Sequence, residues 1–238
     1  MHRSIRKLLW RLGYDITKFR PASHPMARRK QLLESYAIDT VLDIGANTGQ
    51  FARQLRDYLG YAGRILSFEP LSTAFRALKA GAEGDPAWQV FNFALGDAAE
   101  KREINVAGNS YSSSLLGMLP AHLQSAPDSR TVGKETIEIR TLDSLFGELC
   151  KAARNLYMKI DTQGYESKVL KGAENSLARI DTVQVEMSLV PLYEGELLLN
   201  EMCALLLGRG YTLVALENGF SDPASGQLLQ VDGIFHRR

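Results

Sequence analysis

Residues 40–50 read TVLDIGANTGQ, and residues 64–70 read RILSFEP. The first stretch predicts a strand, a turn that contains Gly45 and Gly49, and a helix that begins near Gln50. Glycine lets the backbone approach a ligand, and the start of a helix offers unpaired N–H groups beside it. The second stretch ends a strand on Glu69, an acid that can accept hydrogen bonds from both hydroxyls of a ribose. Together they predict an α/β fold with a pocket for a ribose-containing ligand.

The turn distinguishes between ribose-containing ligands. The dinucleotide fingerprint is G-x-G-x-x-G, whereas Gly45 and Gly49 are spaced as G-x-x-x-G, and no Gly-Lys-Ser/Thr of a P-loop follows. Asp43 stands two residues before Gly45, where an acid would repel a pyrophosphate but could accept a hydrogen bond from an ammonium group. S-adenosylmethionine carries an α-amino group and a sulfonium and has no phosphate. The pattern therefore favours S-adenosylmethionine as the ligand.

The composition is typical of a soluble globular protein. The chain has 238 residues, of which 45% are hydrophobic and 23% charged, and its net charge is +1. Such a chain is long enough for one domain with a sizeable core. The near-neutral charge does not by itself indicate nucleic-acid binding. Cys150 and Cys203 do not have the spacing of a metal site, so we expect two free thiols.

Residues 1–36 are predicted to form a basic helical extension. Residues 1–30 hold nine Lys or Arg and one acid, Asp15, and apolar residues recur at roughly helical spacing between residues 5 and 19. Such a helix can pack across the following domain, or it can lie on a membrane surface or a partner. The chain has no run long enough to span a membrane and its N-terminus does not resemble a secretory signal. We therefore expect a cytoplasmic protein, peripheral at the inner membrane face if this helix docks there.

From residue 37 to residue 238 strands and helices alternate, which predicts one domain with a mostly parallel sheet of about seven strands. The predicted strands are residues 41–44, 64–68, 89–94, 156–160, 183–187, 211–216 and 231–236, and the last two form an antiparallel pair. The predicted helices are residues 26–36, 50–58, 72–80, 166–177 and 197–207. A less regular segment, residues 99–150, interrupts the alternation with strands at 103–106 and 135–140. We expect this insertion to form a lid.

Several motifs resemble those of the FkbM-type methyltransferases: LDIGANTGQF, FEP, NFALGD, TLDS and MKIDTQGYESKVLKGAE. The resemblance covers roughly residues 37–238, and the last block is its most specific part. Members of that family have the Rossmann-like class I fold and use S-adenosylmethionine. They commonly methylate hydroxyl oxygens, often on sugars or polyketide rings. The resemblance therefore implies an O-methyltransferase.

The resemblance also implies a cofactor site in three parts. The glycine turn would line the methionine end, with Asp43 placed to meet the amino group, and Glu69 would hold the ribose. The residues at the end of the third predicted strand would border the adenine, but Asn92 is equally typical of a turn and Phe93 of a core. Many proteins of this fold have an acid in place of Phe93. The predicted cofactor residues are Asp43, Gly45, Ala46, Asn47, Thr48, Gly49, Glu69, Pro70, Asn92, Phe93 and Ala94.

A hydroxyl acceptor needs a base or a metal ion, because its pKa lies far above neutral. Asp161 ends the apolar strand YMKID at the edge where open α/β sheets bind ligands, and Glu186 closes the next strand at the same edge. Asp161 could instead cap the following helix, which has Glu166 in its first turn. The two carboxylates could also hold Mg²⁺. The block DTQGYES resembles the metal-bearing D-x-x-x-Y-E-S of certain macrolide-sugar O-methyltransferases, although their usual second acidic pair is not evident.

The insertion contains further candidates for the acceptor site. His122 is a third candidate base, because histidine titrates near neutral pH, and an exposed loop residue is the alternative. Ser112, Ser113 and Ser114 are predicted to bind a polyhydroxylated acceptor, together with Tyr165 from the family block. A flexible, solvated loop is the other explanation for the serines.

We therefore predict an S-adenosylmethionine-dependent O-methyltransferase that acts on a sugar or glycoconjugate. One alternative is methylation of a polyketide or another natural-product hydroxyl. The other is a protein that binds the cofactor without catalysis, which the intact carboxylates of Asp161 and Glu186 argue against. The expected partner is a hydroxylated small molecule, and no nucleic acid is expected.

Overall fold

The computed structural model describes residues 3–237, with side chains from residue 5 onward. Residues 1, 2 and 238, which the predicted domains include, lie outside the described residues. The chain divides into two compact units, with the boundary between Ala37 and Ile38. No helix within the described residues is long and apolar enough to cross a membrane.

The first unit contains two helices, α1 (Arg3–Arg11) and α2 (Pro25–Ser35). The apolar repeat that runs to residue 19 predicts a longer first helix than the one that forms. Gly13 follows α1 with a φ of +80°, a conformation that commonly ends helices. Arg6 donates two hydrogen bonds, of 3.0 and 2.9 Å, to Asp15 within the same unit. Pro25 suits the first position of α2, where a backbone N–H is not needed.

The second unit alternates strands and helices along the chain. Its elements are β1 (Thr40–Ile44), α3 (Gln50–Arg53, continued by a π-helical turn Gln54–Tyr58), β2 (Arg64–Phe68), α4 (Ser72–Ala82), β3 (Trp88–Phe91), β4 (Ala94–Leu95), β5 (Glu100–Ala107), α5 (Pro120–Ser125), β6 (Thr131–Arg140), α6 (Leu142–Leu149), β7 (Leu156–Ile160), α7 (Glu166–Lys171), β8 (Thr182–Ser188), α8 (Leu199–Gly208), β9 (Tyr211–Asn218) and β10 (Gln230–Arg237).

Seven strands form the main sheet in the order β3-β2-β1-β7-β8-β10-β9. The five strands from β3 to β8 pair in parallel, and β10 runs antiparallel to both β8 and β9. Every residue of β1 and β7 is buried, as expected for central strands covered on both faces. The predicted fold class, a Rossmann-like and mostly parallel sheet of seven strands, is confirmed.

The insertion is more regular than its sequence indicates. Strands β5 and β6 form an antiparallel hairpin, and β4 pairs with β6 to complete a second, three-stranded sheet. Helices α5 and α6 also lie within residues 99–150, and the sequence pattern predicts neither of them. The cross-strand pairs of the hairpin stabilise it although its outer face is polar.

Two predicted elements of the second unit end several residues early. The strand predicted for residues 89–94 ends at Phe91, and Ala94 begins β4 in the smaller sheet. The helix predicted for residues 166–177 ends at Lys171, and a short 3₁₀ turn, Ser176–Arg179, follows it. Gly172 explains the close packing after α7, because a Cβ there would overlap the carbonyl oxygen of Gly96. Such long-range packing cannot be detected from local periodicity.

Candidate active site

The order of the strands reverses between β1 and β7, and open sheets bind ligands in the crevice at this point. The two strands pair in register at Ile44 and Ile160, and the N–H of Asp161 donates to the carbonyl of Ile44 at 3.1 Å. Gly45 therefore lies directly beside Asp161. It has a φ of +77°, and a Cβ there would overlap the carbonyl oxygen of Asp161. The glycine turn and Asp161, which are far apart in sequence, are in contact at the switch point.

Glu69 lies at the end of β2 and is buried. Its Oε2 accepts a hydrogen bond from the N–H of Asn47, and its Oε1 accepts one from the N–H of Leu71, both at 2.8 Å. These bonds aim the carboxylate across the glycine turn, and each oxygen retains a second lone pair. Burial raises the pKa of Glu69 to about 7, although the two backbone donors act in the opposite direction.

Asp43 is fully buried in β1, where its Oδ2 accepts from Ser67 Oγ at 3.2 Å. Its Oδ1 lies 3.8 Å from Lys159 Nζ and has no hydrogen-bond partner within the described part of the chain. Burial raises the pKa of Asp43, and Lys159 opposes this shift. The proposed contact of Asp43 with an amino group stays a prediction. Its observed charge partner is Lys159.

The rest of the glycine turn is held by hydrogen bonds from side chains to backbone carbonyls. Asn47 has a φ of +49°, and its Nδ2 donates to the carbonyl of Ser110 in the insertion at 2.8 Å. Ala46 is buried, and the carbonyl of Thr48 accepts from Arg53 at 2.8 Å. Gly49 has a φ of +88° at the start of α3. These contacts connect the turn both to its helix and to the insertion.

Asn92, Phe93 and Ala94 do not end β3, which corrects their predicted place. Asn92 lies in a turn and its Nδ2 donates to the carbonyls of Glu69 and Pro70, both at 2.9 Å. Phe93 is buried against two neighbouring phenylalanine rings, and the guanidinium of Arg140 lies 4.5 Å from its ring centroid. The turn and core alternatives thus describe the positions of Asn92 and Phe93, and their contact with adenine stays a prediction.

Asp161 and Glu186 are brought together through one side chain. Gln163 Nε2 donates to Asp161 Oδ1 and to Glu186 Oε2, both at 2.8 Å. Lys159 Nζ donates to Asp161 Oδ2 at 3.0 Å, and the Asp161 side chain remains 33% exposed. Asp161 is not the cap of α7, because that helix begins only at Glu166. Glu186 lies within β8, which continues to Ser188, so it does not close the strand as predicted.

Neighbouring charges shift the pKa values of Glu186 and Lys159. Burial and the negative charges of Asp161 and Asp232 raise the pKa of Glu186 well above its usual range. Burial alone would lower the pKa of Lys159, but the Asp161 and Asp43 carboxylates outweigh it and raise that pKa. Lys159 therefore stays protonated between the two aspartates. It supplies a fixed positive charge both to Asp43 in β1 and to Asp161 after β7.

His122 is buried on α5, so the exposed-loop alternative is wrong. Its ring contacts the edge of Tyr193 with a centroid distance of 5.1 Å and also lies against Phe220 at 5.4 Å. Burial lowers the pKa of His122 and thus favours the neutral ring. Its role as a base stays a prediction, and the observed contacts are those of a packed side chain.

The predicted acceptor residues of the insertion are ordered rather than a solvated loop. Ser112 and Ser114 are buried, and Ser114 Oγ donates to the carbonyl of Gln163 at 2.6 Å. Ser113 Oγ accepts from the N–H of Ala107 at 3.0 Å. Tyr165 is buried in the main core cluster, which favours packing over substrate contact. Contact of these residues with an acceptor stays a prediction.

Sequence reasoning missed four residues that organise the site: Lys159, Gln163, Glu166 and Tyr193. Glu166 Oε1 accepts from the N–H groups of Thr162 and Gly164 at 2.8 and 3.2 Å, and it thereby shapes the turn after β7. Lys159 could have been found, because lysine is rarely fully buried unless it is paired, and it interrupts an apolar strand. Gln163 and Glu166 lie within the family block MKIDTQGYESKVLKGAE, which could have indicated them, whereas Tyr193 gives no comparable local signal.

No group of three or more His, Cys, Asp or Glu side chains arranged to hold a metal ion occurs among residues with described positions. Asp161 and Glu186 instead both accept hydrogen bonds from the Gln163 amide, and Asp161 also accepts one from Lys159. The predicted Mg²⁺ therefore has no support in the arrangement of these side chains.

The sheet order and the glycine turn define a Rossmann-like α/β fold with its ligand crevice at the switch point. The chain belongs to the FkbM methyltransferase family: residues 43–213 match the family described as "Methyltransferase FkbM domain". The protein is thus a methyltransferase.

Two relatives share most of the chain. The "31-O-demethyl-FK506 methyltransferase FkbM" of Streptomyces tacrolimicus is 29% identical over 205 residues, which cover 74% of this chain and 74% of the relative. The "2-O-methyltransferase NoeI" of Sinorhizobium fredii (strain NBRC 101917 / NGR234) is 28% identical over 172 residues, which cover 70% of each chain. Both relatives are O-methyltransferases by name.

A solved structure supports the fold. The methyltransferase FkbM from Methylobacillus flagellatus KT superimposes with a TM-score of 0.52 at 14% identity. The match covers 82% of this chain but only 43% of that structure. At this identity the likeness shows the fold alone.

Proposed function

We propose that the protein transfers a methyl group from S-adenosylmethionine to a hydroxyl of a sugar or glycoconjugate. The observation that carries this proposal is the contact between Gly45 and Asp161 at the switch point of the sheet. The partly exposed carboxylate of Asp161 lies beside the glycine turn, where the proposal puts the cofactor. A second acceptor class, a polyketide hydroxyl, is suggested by the name of the relative that acts on 31-O-demethyl-FK506.

The residues of the turn suit the cofactor. Glu69 has free lone pairs for the two ribose hydroxyls, and the buried Oδ1 of Asp43 lacks a hydrogen-bond donor, as an acceptor for an ammonium group would. The missing side chain of Gly45 lets the turn lie directly against the backbone of Asp161. When bound, S-adenosylmethionine supplies a methyl group already activated on a sulfonium sulfur.

Asp161 would orient the acceptor hydroxyl and take its proton. In-line displacement requires the attacking oxygen to lie opposite the leaving sulfur, so alignment removes much of the barrier. Lys159 and Gln163 hold the Asp161 carboxylate and leave a lone pair on each of its oxygens. The proton passes from the hydroxyl to Asp161 as the new oxygen–carbon bond forms.

Affinity for S-adenosylhomocysteine is expected to rise as the pH increases through about 7. Below that value the Glu69 carboxyl is protonated, and above it the ionised group accepts stronger hydrogen bonds from the ribose. Calorimetry between about pH 6 and pH 8 measures the change. Glu69→Ala is expected to bind about 100-fold more weakly, since two charge-assisted bonds are lost, and to lack this pH dependence. Glu103→Ala, an exposed site, serves as the control.

Labelled S-adenosylmethionine and a panel of acceptors test the activity. The panel contains mono- and oligosaccharides, nucleotide sugars and 31-O-demethyl-FK506, and we expect label to enter a saccharide hydroxyl. Transfer only to the polyketide would replace the sugar proposal, and binding of S-adenosylhomocysteine without any transfer would favour a non-catalytic protein.

EDTA is expected to leave the rate of methyl transfer unchanged, because the proposal uses no metal ion. A loss of activity that Mg²⁺ restores would contradict it.

We further propose a cytoplasmic location in which α1 contacts an anionic membrane surface. Ile5, Leu8 and Leu12 are each more than half exposed, and Arg6 and Lys7 lie between them in sequence. Apolar residues interleaved with basic ones are typical of helices that lie on anionic lipid. Co-sedimentation with vesicles that contain phosphatidylserine tests this, and equal binding to neutral vesicles contradicts it.

A further inference from the structure

Gln163 has an unusual backbone conformation. Its φ is +56°, in the left-handed region that side chains rarely adopt, and the other such non-glycine residues in the described chain are Ala37 and Asn47. Residues of this kind persist where their surroundings hold them, and they cluster at functional sites. Asn47 lies in the glycine turn, and Gln163 lies in the turn after β7. Each is hydrogen-bonded to the insertion, Gln163 to Ser114 and Asn47 to Ser110.

The side chain of Gln163 joins three groups. Its Nε2 has two N–H bonds and donates to Asp161 Oδ1 and to Glu186 Oε2, each at 2.8 Å. Its Oε1 accepts from the hydroxyl of Tyr193 at 2.7 Å. Because the Asp161 carboxylate can only accept, it keeps the nitrogen end of the amide on its side, and Oε1 is left to accept from Tyr193. The orientation of the amide is therefore determined by its neighbours.

Asp161 and Glu186 lie close enough together for the charge of Asp161 to help raise the pKa of Glu186. A shared donor between them keeps both turned toward the same space. Lys159 holds the other oxygen of Asp161, and Gln230 Nε2 donates to Glu186 Oε2 at 2.9 Å. Gln163 is thus hydrogen-bonded directly to both carboxylates.

We propose that Gln163 is a positioning residue that fixes Asp161 and Glu186 toward the acceptor hydroxyl. This inference rests on the proposed function, since it assigns Gln163 a purpose in orienting the acceptor. It acts through the two carboxylates and takes no proton itself. Its removal should therefore lower the rate of transfer and leave cofactor binding intact.

Gln163→Gly tests the proposal, because glycine adopts a φ of +56° without strain while the amide is deleted. We expect kcat to fall about 10- to 100-fold, as for misaligned reacting groups, with KM for S-adenosylmethionine preserved. The melting temperature should fall modestly, because three hydrogen bonds are lost. Ala37→Gly is the matched control, since it places glycine at a φ of +48° in the other unit. That variant should keep the wild-type kcat.

Crystal structures of Gln163→Gly and of the wild type with S-adenosylhomocysteine give a readout that needs no acceptor. We expect the Asp161 and Glu186 side chains to rotate away from their wild-type positions. Any one of three results would overturn the positioning role. They are carboxylates in unchanged positions, a kcat within twofold of the wild type, and a lower melting temperature together with weaker S-adenosylhomocysteine binding. A wild-type protein that methylates no acceptor refutes the proposed function instead, and the crystal structures still decide the role of Gln163.

Discussion

Gly45→Ala is expected to abolish S-adenosylhomocysteine binding and to lower the free energy of unfolding by about 2–5 kcal/mol. The new alanine would have to adopt a φ of +77°, and its Cβ would overlap the carbonyl oxygen of Asp161. That oxygen belongs to backbone whose N–H is bonded to Ile44, so it cannot move without disturbing the pairing of β1 with β7. The loss is large relative to the marginal stability of a domain. Urea denaturation and calorimetry measure the two effects.

Gly84→Ala separates the two causes of this loss. Gly84 has a φ of +83°, close to that of Gly45, but a Cβ there would meet no atom within 4 Å. The control should therefore lose only the backbone cost of about 1–2 kcal/mol and should bind S-adenosylhomocysteine normally. If both variants lose the same stability and the same affinity, the contact between Gly45 and Asp161 does not organise the site.

Asp161→Asn is expected to lower kcat about 10²- to 10⁴-fold while affinity for S-adenosylhomocysteine stays unchanged. Asparagine keeps the shape of the side chain but cannot take a proton from an acceptor hydroxyl. The fold should tolerate the change, because the side chain is 33% exposed and Lys159 retains Asp43 as a charged neighbour. Transfer of labelled methyl to the best acceptor of the panel, with calorimetry in parallel, measures both quantities.

A matched charge change provides the control for Asp161. Asp57 is exposed, so Asp57→Asn removes the same charge from the surface and should leave kcat unchanged. Full activity of Asp161→Asn would remove Asp161 as the base. Glu186→Gln then becomes the decisive variant, because Glu186 is the other carboxylate bonded to Gln163.

The fold was predictable because its signals are local. Apolar runs of four to eight residues, each followed by a turn and a helical pattern, are typical of βαβ units. Short patterns also predict strand β2, which Glu69 directly follows, and the antiparallel strands β9 and β10. The structure contains all three strands. Their lengths are less predictable. Helix α7 is shorter than its pattern indicates, since tertiary packing of Gly172 against Gly96 limits the segment.

Burial was the main quantity that local patterns did not reveal. His122 and Ser114 stand in a polar, irregular stretch of sequence, and yet both are buried. Their neighbours come from distant segments, since His122 contacts Tyr193 and Ser114 donates to the backbone of Gln163. Ser114 can be buried because the backbone of Gln163 satisfies its hydroxyl, and that partner is not visible along the chain.

The proposed donor half of the site lies within residues 40–69, where strand, glycine turn, helix and acid follow one another. Local sequence patterns suffice to identify it, because its parts are close together along the chain. The acceptor half depends on long-range contacts: Asp161 and Gln163 follow β7, Glu186 belongs to β8, and Tyr193 lies beyond it. These groups form a site only when parallel pairing brings the strands together and hydrogen bonds orient their side chains. The sequence therefore indicates the methyl donor, whereas folding assembles the place where the acceptor would bind.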